Sequence, residues 1–125
     1  METYTFEHVP DYQRDIYGAP SVKRPYCVVC GKLATNDHHV IPNARHATRE
    51  HPESPTLSLC GMGNASGCHG DAHDHKLHFR VVPVEVTRFS GETCSRLEWE
   101  YMRTPEGMDE LSAHDIEDGW RACRL

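Results

Sequence analysis

The chain has 125 residues, 38% of them hydrophobic and 8% aromatic, with a formal charge of −6. This length fits one domain, the composition excludes a fibre or a disordered tail, and no apolar run approaches the roughly 20 residues that span a bilayer. The acidic balance argues only superficially against nucleic acid as a partner, because residues 20–80 hold seven Lys/Arg against five Asp/Glu, while residues 81–125 hold five against ten.

The N-terminus, METYTFEHVPDYQRD, has no basic start followed by an apolar stretch, so a soluble, cytoplasmic protein is expected. Residues 1–25 read as an arm, with YTFEHV weakly strand-like and GAPSVKRP a loop. Next comes HHVIP, a short strand closed by Pro42. NARHATREHPESP is polar and proline-ended, which marks a surface excursion. TLSLC alternates apolar residues and is placed to pair with HHVI, and the three glycines of GMGNASG make a turn. HGDAHDHKLHF, without proline, predicts a helix of about ten residues. RVVPVEVTRF and SRLEWEYMRT predict two strands about the turn SGET, with Pro83 marking the first as an edge or an interruption. In SAHDIEDGW, Ser112 followed by Asp115 predicts a capped helix that ends near Gly119.

Metal-ligand side chains concentrate in the middle segment. Eight of the ten histidines and four of the six cysteines lie between residues 20 and 80. Cys27 and Cys30 form C-x-x-C followed by Gly31, and Cys60, also followed by glycine, pairs with Cys68 about thirty residues later. Four thiolates make the closed tetrahedral set of a structural Zn²⁺, against the plainer reading of four buried free thiols. The gap between Cys60 and Cys68 is wider than usual, so GMGNASG is expected to loop out between them. Such a clip would help hold a segment too short for a large core, since metal-binding free energy becomes folding free energy. Cys94 and Cys123 stand apart and read as reduced thiols.

The histidines form a second set. His69 and His73, at i and i+4, fall on one face of the expected helix, about 6 Å apart at Cβ. His38 and His39 are neighbours on a strand and therefore point to opposite faces. One can ligate an ion while the other stays free as a base, the division of labour that metal-assisted phosphodiester hydrolysis requires.

DHHVIP, TLSLC and CHGDAH together resemble the HNH endonucleases, the ββα-metal or His-Me finger family, and GMGNASGCHG resembles a variant common in phage genomes. The resemblance covers residues 26–79. It implies an α+β fold with a small zinc-clipped ββα-metal core at 26–80, the N-terminal arm before it, and an acidic strand and helix extension at 81–125, all in one domain. It further implies that His39 is the general base and that His38, His69 and His73 hold one catalytic divalent ion. Cys27, Cys30, Cys60 and Cys68 would hold a structural Zn²⁺. Three imidazoles favour Zn²⁺, Ni²⁺, Mn²⁺ or Co²⁺ over Mg²⁺, although Asp37 or Asp71 could add a carboxylate. The implied partner is double-stranded DNA in a bacterial or phage-infected cell, with no membrane and no small-molecule cofactor, and with dimerisation left open. Arg45, Arg49 and Lys76 are the DNA-contact candidates. The family's central asparagine has no counterpart, because Pro55 and Thr56, preceded by Ser54, stand where it should fall. The competing expectation is a non-catalytic, treble-clef-like zinc module that binds DNA or protein.

Overall fold

The computed structural model describes residues 15–16, 19–41, 55–63, 65–105 and 108–124. Strand β1 spans Asn36–His39 and pairs antiparallel with β2, Thr56–Leu59, in the register Asn36↔Leu59 to His39↔Thr56. β1 is exposed at Asp37 and His39 and buried at His38, as alternation on a half-covered strand demands. In contrast, β2 is buried on both faces through Leu57, Ser58 and Leu59. Its outer edge is covered by residue Val22, which bridges Leu57 in parallel and exchanges Val22 N–H→Thr56 O (2.8 Å) and Ser58 N–H→Val22 O (3.2 Å). β1 ends at His39, sooner than the HHVIP pattern predicts, and Pro42 lies outside the described residues.

Helix α1, Gly67–His73, follows directly. It is shorter than the expected ten residues because His75 takes a left-handed φ of 59°, a conformation that no helix continues through. The chain turns there, and residues 77–79, expected in the helix, instead begin strand β3. β3, Leu77–Thr87, and β4, Thr93–Arg103, form a hairpin of eleven paired positions. Its turn is closed by Arg88 N–H→Glu92 O (2.8 Å) and by Gly91 at φ 86°. β3 is an edge strand and accommodates Pro83 without interruption, as edges permit. β5, Arg121–Ala122, pairs with Glu100 and Tyr101 of β4, giving the order β3-β4-β5.

Helix α2 spans Glu110–His114. Its cap is Asp109, whose carboxylate accepts from Ser112 N–H at 2.8 Å. Ser112 is thus the third helical residue and not the N-cap, and the helix stops before Gly119. The Ser112 hydroxyl donates to the same carboxylate, at 2.9 Å from Asp109 Oδ2, so it belongs to the cap that starts the helix three residues earlier.

A mixed α/β architecture results, in which the described residues form these two sheets and the helices α1 and α2 around one core. Ile16, Val28, Leu57, Leu59, Leu77 and Trp99 are each at most 2% exposed, and burying each such side chain is worth about 1.5–3 kcal/mol. The Trp99 indole N–H donates to Pro20 O at 3.0 Å, so the core draws on the N-terminal segment, β2 and the hairpin together. Cys123 N–H→Trp99 O (3.0 Å) and Arg124 N–H→Val28 O (2.6 Å) fasten the C-terminal segment beside the C-x-x-C turn. Among the described residues no helix is long and apolar enough to cross a membrane.

Candidate metal centres

Among the described residues two clusters of metal-ligand atoms emerge. The first joins Cys27, Cys30, Cys60 and Cys68, whose sulfurs all lie within 4.8 Å of one another. Four thiolates at Zn–S distances near 2.3 Å stand about 3.8 Å apart. Cys30 and Cys60 are 3.5 Å apart, and all four are free thiols. The set therefore fits a tetrahedral Zn²⁺ and could hold one.

Local backbone chemistry sets each sulfur. The C-x-x-C turn is closed by Cys27 N–H→Lys32 O (2.6 Å) and Gly31 N–H→Cys27 O (3.0 Å), with Gly31 at φ 81°. The wide interval between Cys60 and Cys68 closes through two glycines. Gly61 and Gly67 sit backbone against backbone, at φ 131° and 66°. A Cβ on Gly61 would fall 1.9 Å from Ser66 O, and one on Gly67 would fall 2.6 Å from Gly61 Cα. That contact lets His69 N–H, which would otherwise lack a partner at the helix start, donate to Cys60 O at 3.0 Å. β2 and α1 are thus joined at the clip. The Cys27 thiol is held down at about 4, chiefly by the hydrogen bond from Cys68, and the Cys68 thiol is pushed up by the same bond. At neutral pH Cys27 is then already a thiolate while Cys68 still holds its proton, and Cys68 must lose it to bind metal, so loading the clip releases protons.

The second cluster joins His38 from β1 with His69 and His73 from α1. Their ligand nitrogens also lie within 4.8 Å of one another. The ring centroids are 5.0 Å (His38–His69), 5.4 Å (His38–His73) and 4.7 Å (His69–His73) apart, with interplanar angles of 73°, 80° and 74°. Three rings edge-on to one another point nitrogens inward instead of stacking. His69 Nε2 and His73 Nε2 are 3.2 Å apart, close to the roughly 3.3 Å between nitrogens that share a tetrahedral ion at about 2.0–2.1 Å. His69 Nδ1 lies 2.8 Å from Gly63 O. A carbonyl only accepts, so Nδ1 carries the proton and Nε2 presents its lone pair to the cluster.

His38 is buried, and its pKa falls to about 3, first through desolvation and then through His69, His73 and His39. Desolvation, followed by His69, also lowers that of His73. These two rings are neutral at neutral pH, the form that binds metal.

His39 stands outside this cluster, exposed on the other face of β1 and directly opposite Thr56 in the ladder. The two candidate carboxylates do not join the imidazoles. Asp71 is held by Arg103 at 2.8 Å and Asp37 lies 3.8 Å from Lys23. Lys76 is half-buried in the turn after α1, where its N–H donates to Asp71 O at 2.9 Å. Arg45 and Arg49 lie outside the described residues. His78 is buried, its Nε2 within 3.1 Å of His75 O and 2.9 Å of Thr104 Oγ1, so it serves the core.

Sequence reasoning missed Arg103. Its Nη2 donates to Cys68 Sγ at 3.3 Å while Nη1 donates to Asp71 Oδ2 at 2.8 Å. The last residue of β4 thus braces a clip ligand and the helix that carries His69 and His73. Only the hairpin register Leu77↔Arg103 brings it there, and no local motif signals that register. Comparison of the chain with family models, curated proteins and solved structures finds no match, so the reading of the two centres rests on their own geometry.

Proposed function

We propose that this chain is a metal-dependent DNA endonuclease of the HNH, or ββα-metal, type. The observation that carries the reading is the convergence of His38, His69 and His73 from a strand and a helix, with a second histidine next on the strand facing away from them. The order β1, β2, α1 and the adjoining four-cysteine clip support it. A purely structural site has no use for an additional exposed histidine beside a ligand.

In this mechanism the scissile phosphate lies against the three-imidazole cluster. His39 accepts a proton from a water molecule, whose oxygen attacks phosphorus in line as the bond to the 3′ oxygen breaks. An ion held by His38, His69 and His73 supplies Lewis-acid stabilisation of the charge on the phosphate and the departing oxygen. His69 is oriented for this by its bond to Gly63 O, and α1 by its attachments to Cys60 and Arg103. Three imidazoles without a carboxylate favour Zn²⁺, Ni²⁺, Mn²⁺ or Co²⁺ over Mg²⁺. Thr56, opposite His39, occupies the place nearest to that of the family's missing asparagine. The described residues hold one such centre, which would act on one strand of duplex DNA at a time.

That missing asparagine favours a second reading, a non-catalytic zinc module of treble-clef type. Nicking of supercoiled plasmid across Mg²⁺, Mn²⁺, Ni²⁺ and Zn²⁺ separates the two. The endonuclease reading expects nicking by the wild type with at least one ion and its loss in His69→Ala, with clip zinc retained. No nicking with any ion supports the binding module.

A further inference from the structure

Away from the imidazole cluster, a cavity of about 300 Å³ opens beside the C-x-x-C turn, lined by Arg24, Pro25, Tyr26, Cys27, Gly31 and Arg124. That is the lower end of the range for small-molecule sites. Two arginines therefore line a space about large enough for one phosphate with part of its nucleoside. Both arginines are exposed, and among the described residues neither forms an ion pair with a carboxylate.

Their backbones, in contrast, are fixed. Arg24 N–H donates to Ser58 Oγ at 2.8 Å and Arg124 N–H to Val28 O at 2.6 Å. The Arg124 side chain crosses the knuckle turn at Gly31, where a Cβ would lie 3.6 Å from Nη1. Tyr26, which bridges Leu33 across the turn, is 58% exposed, and Leu33 is 70% exposed. Paired guanidinium forks recognise phosphate oxygens, and an exposed aromatic ring beside them offers a base a surface to stack on.

We propose that this cavity is a nucleotide subsite, in which Arg24 and Arg124 grip one phosphodiester of a nucleic-acid strand and Tyr26 stacks on its unpaired base. The inference rests on the nucleic-acid reading above but not on cleavage. Its occupant is a single-stranded or frayed segment next to the duplex that the imidazole centre would cut. The rival role for the arginines is to balance the charge of the clip, since four thiolates around one Zn²⁺ carry a formal charge of −2.

The test uses the full chain as His39→Ala, in which cutting should be slowed about 10²–10⁴-fold, and follows the anisotropy of labelled single-stranded and fork-ended oligonucleotides over a range of salt. Clip zinc is measured in every sample. Arg24→Gln/Arg124→Gln should weaken binding roughly tenfold or more and flatten the slope of log Kobs against log salt by about 0.7–0.9, the value of one phosphate contact. Tyr26→Ala should weaken binding about five- to a hundredfold with the slope unchanged. Zinc retention should match the parent in both.

An unchanged slope in the double variant, or loss of zinc with binding otherwise intact, overturns the proposal. So does the absence of nucleic-acid binding altogether, or equal binding of blunt duplex and forked DNA. Binding that follows these expectations in a protein whose wild type never nicks would overturn the nuclease reading and leave the subsite standing.

Discussion

Replacing Gly67 with alanine tests how the chain closes the clip across the seven residues between Cys60 and Cys68. The new Cβ would stand 2.6 Å from Gly61 Cα and 2.7 Å from Cys60 O. Both neighbours are backbone, and the second belongs to the residue that carries a ligand sulfur, so neither can yield by a rotamer change. The φ of 66° adds a left-handed cost of about 1–2 kcal/mol, and overpacking adds about 1–3 kcal/mol. Together they give about 2–5 kcal/mol, a large part of a typical domain stability of about 5–15 kcal/mol. If the strain falls on the zinc-bound geometry, affinity drops by about thirtyfold to several thousandfold. Competition for Zn²⁺ against a chromophoric chelator reads this directly. Gly91→Ala is the control, because its φ of 86° carries the same kind of strain but no atom lies within 4 Å of the new Cβ. It should lower thermal stability without changing zinc affinity. Zinc binding by Gly67→Ala within a factor of about three of wild type would refute the argument that glycine contact brings the sulfurs together.

Arg103→Gln removes the N–H donated to Cys68 Sγ and the pair with Asp71. This half-exposed arrangement is worth about 1–2 kcal/mol in all, and the sulfur-to-metal charge-transfer band of the Co²⁺-loaded clip should move to lower energy. An unmoved band would show that the arginine does not act on the sulfur. His38, at about 3 in the folded chain against about 6.5 unfolded, gives a pH dependence of definite sign. The unfolded chain binds the extra proton between those values, so His38 costs no stability above pH 6.5 and progressively more as pH falls toward 3, on the order of several kcal/mol. His38→Phe cannot take up that proton. With one equivalent of zinc, its melting temperature should therefore decline less than that of wild type between pH 6.5 and 4.5. Parallel declines would contradict the burial argument.

Much of both centres was legible in the sequence because their ligands come in short local patterns. C-x-x-C needs only a tight turn, and His69 with His73 needs only one helical turn. The adjacent His38 and His39 need only strand alternation to face apart, which the buried and exposed states of the two rings bear out. TLSLC is expected to pair with HHVI from their apolar alternation, and the ladder forms two residues earlier, on NDHH. What escaped depends on distance or competition. The helix stops at His73 because His75 adopts a left-handed conformation, which the helix-compatible composition of HGDAHDHKLHF conceals. Asp109 caps α2 in place of Ser112 because two capping residues three positions apart compete to start the helix, and the earlier one accepts from Ser112 N–H. Arg103 at the clip, and Arg24 with Arg124 about one cavity, are brought together by strand register and by the docking of the C-terminal segment. No window of local sequence contains those contacts.

The most direct measurement is the nicking rate of His39→Ala relative to wild type, at a concentration of ion that titration calorimetry shows to saturate both proteins. The account predicts that His39→Ala binds the exchangeable ion as tightly as wild type and retains its clip zinc. Its nicking should be slower by about 10²–10⁴-fold, while His69→Ala should lose the exchangeable ion itself. Equal nicking by His39→Ala and wild type, or a joint loss of ion and activity in His39→Ala, would contradict the division between three ligating imidazoles and one free base.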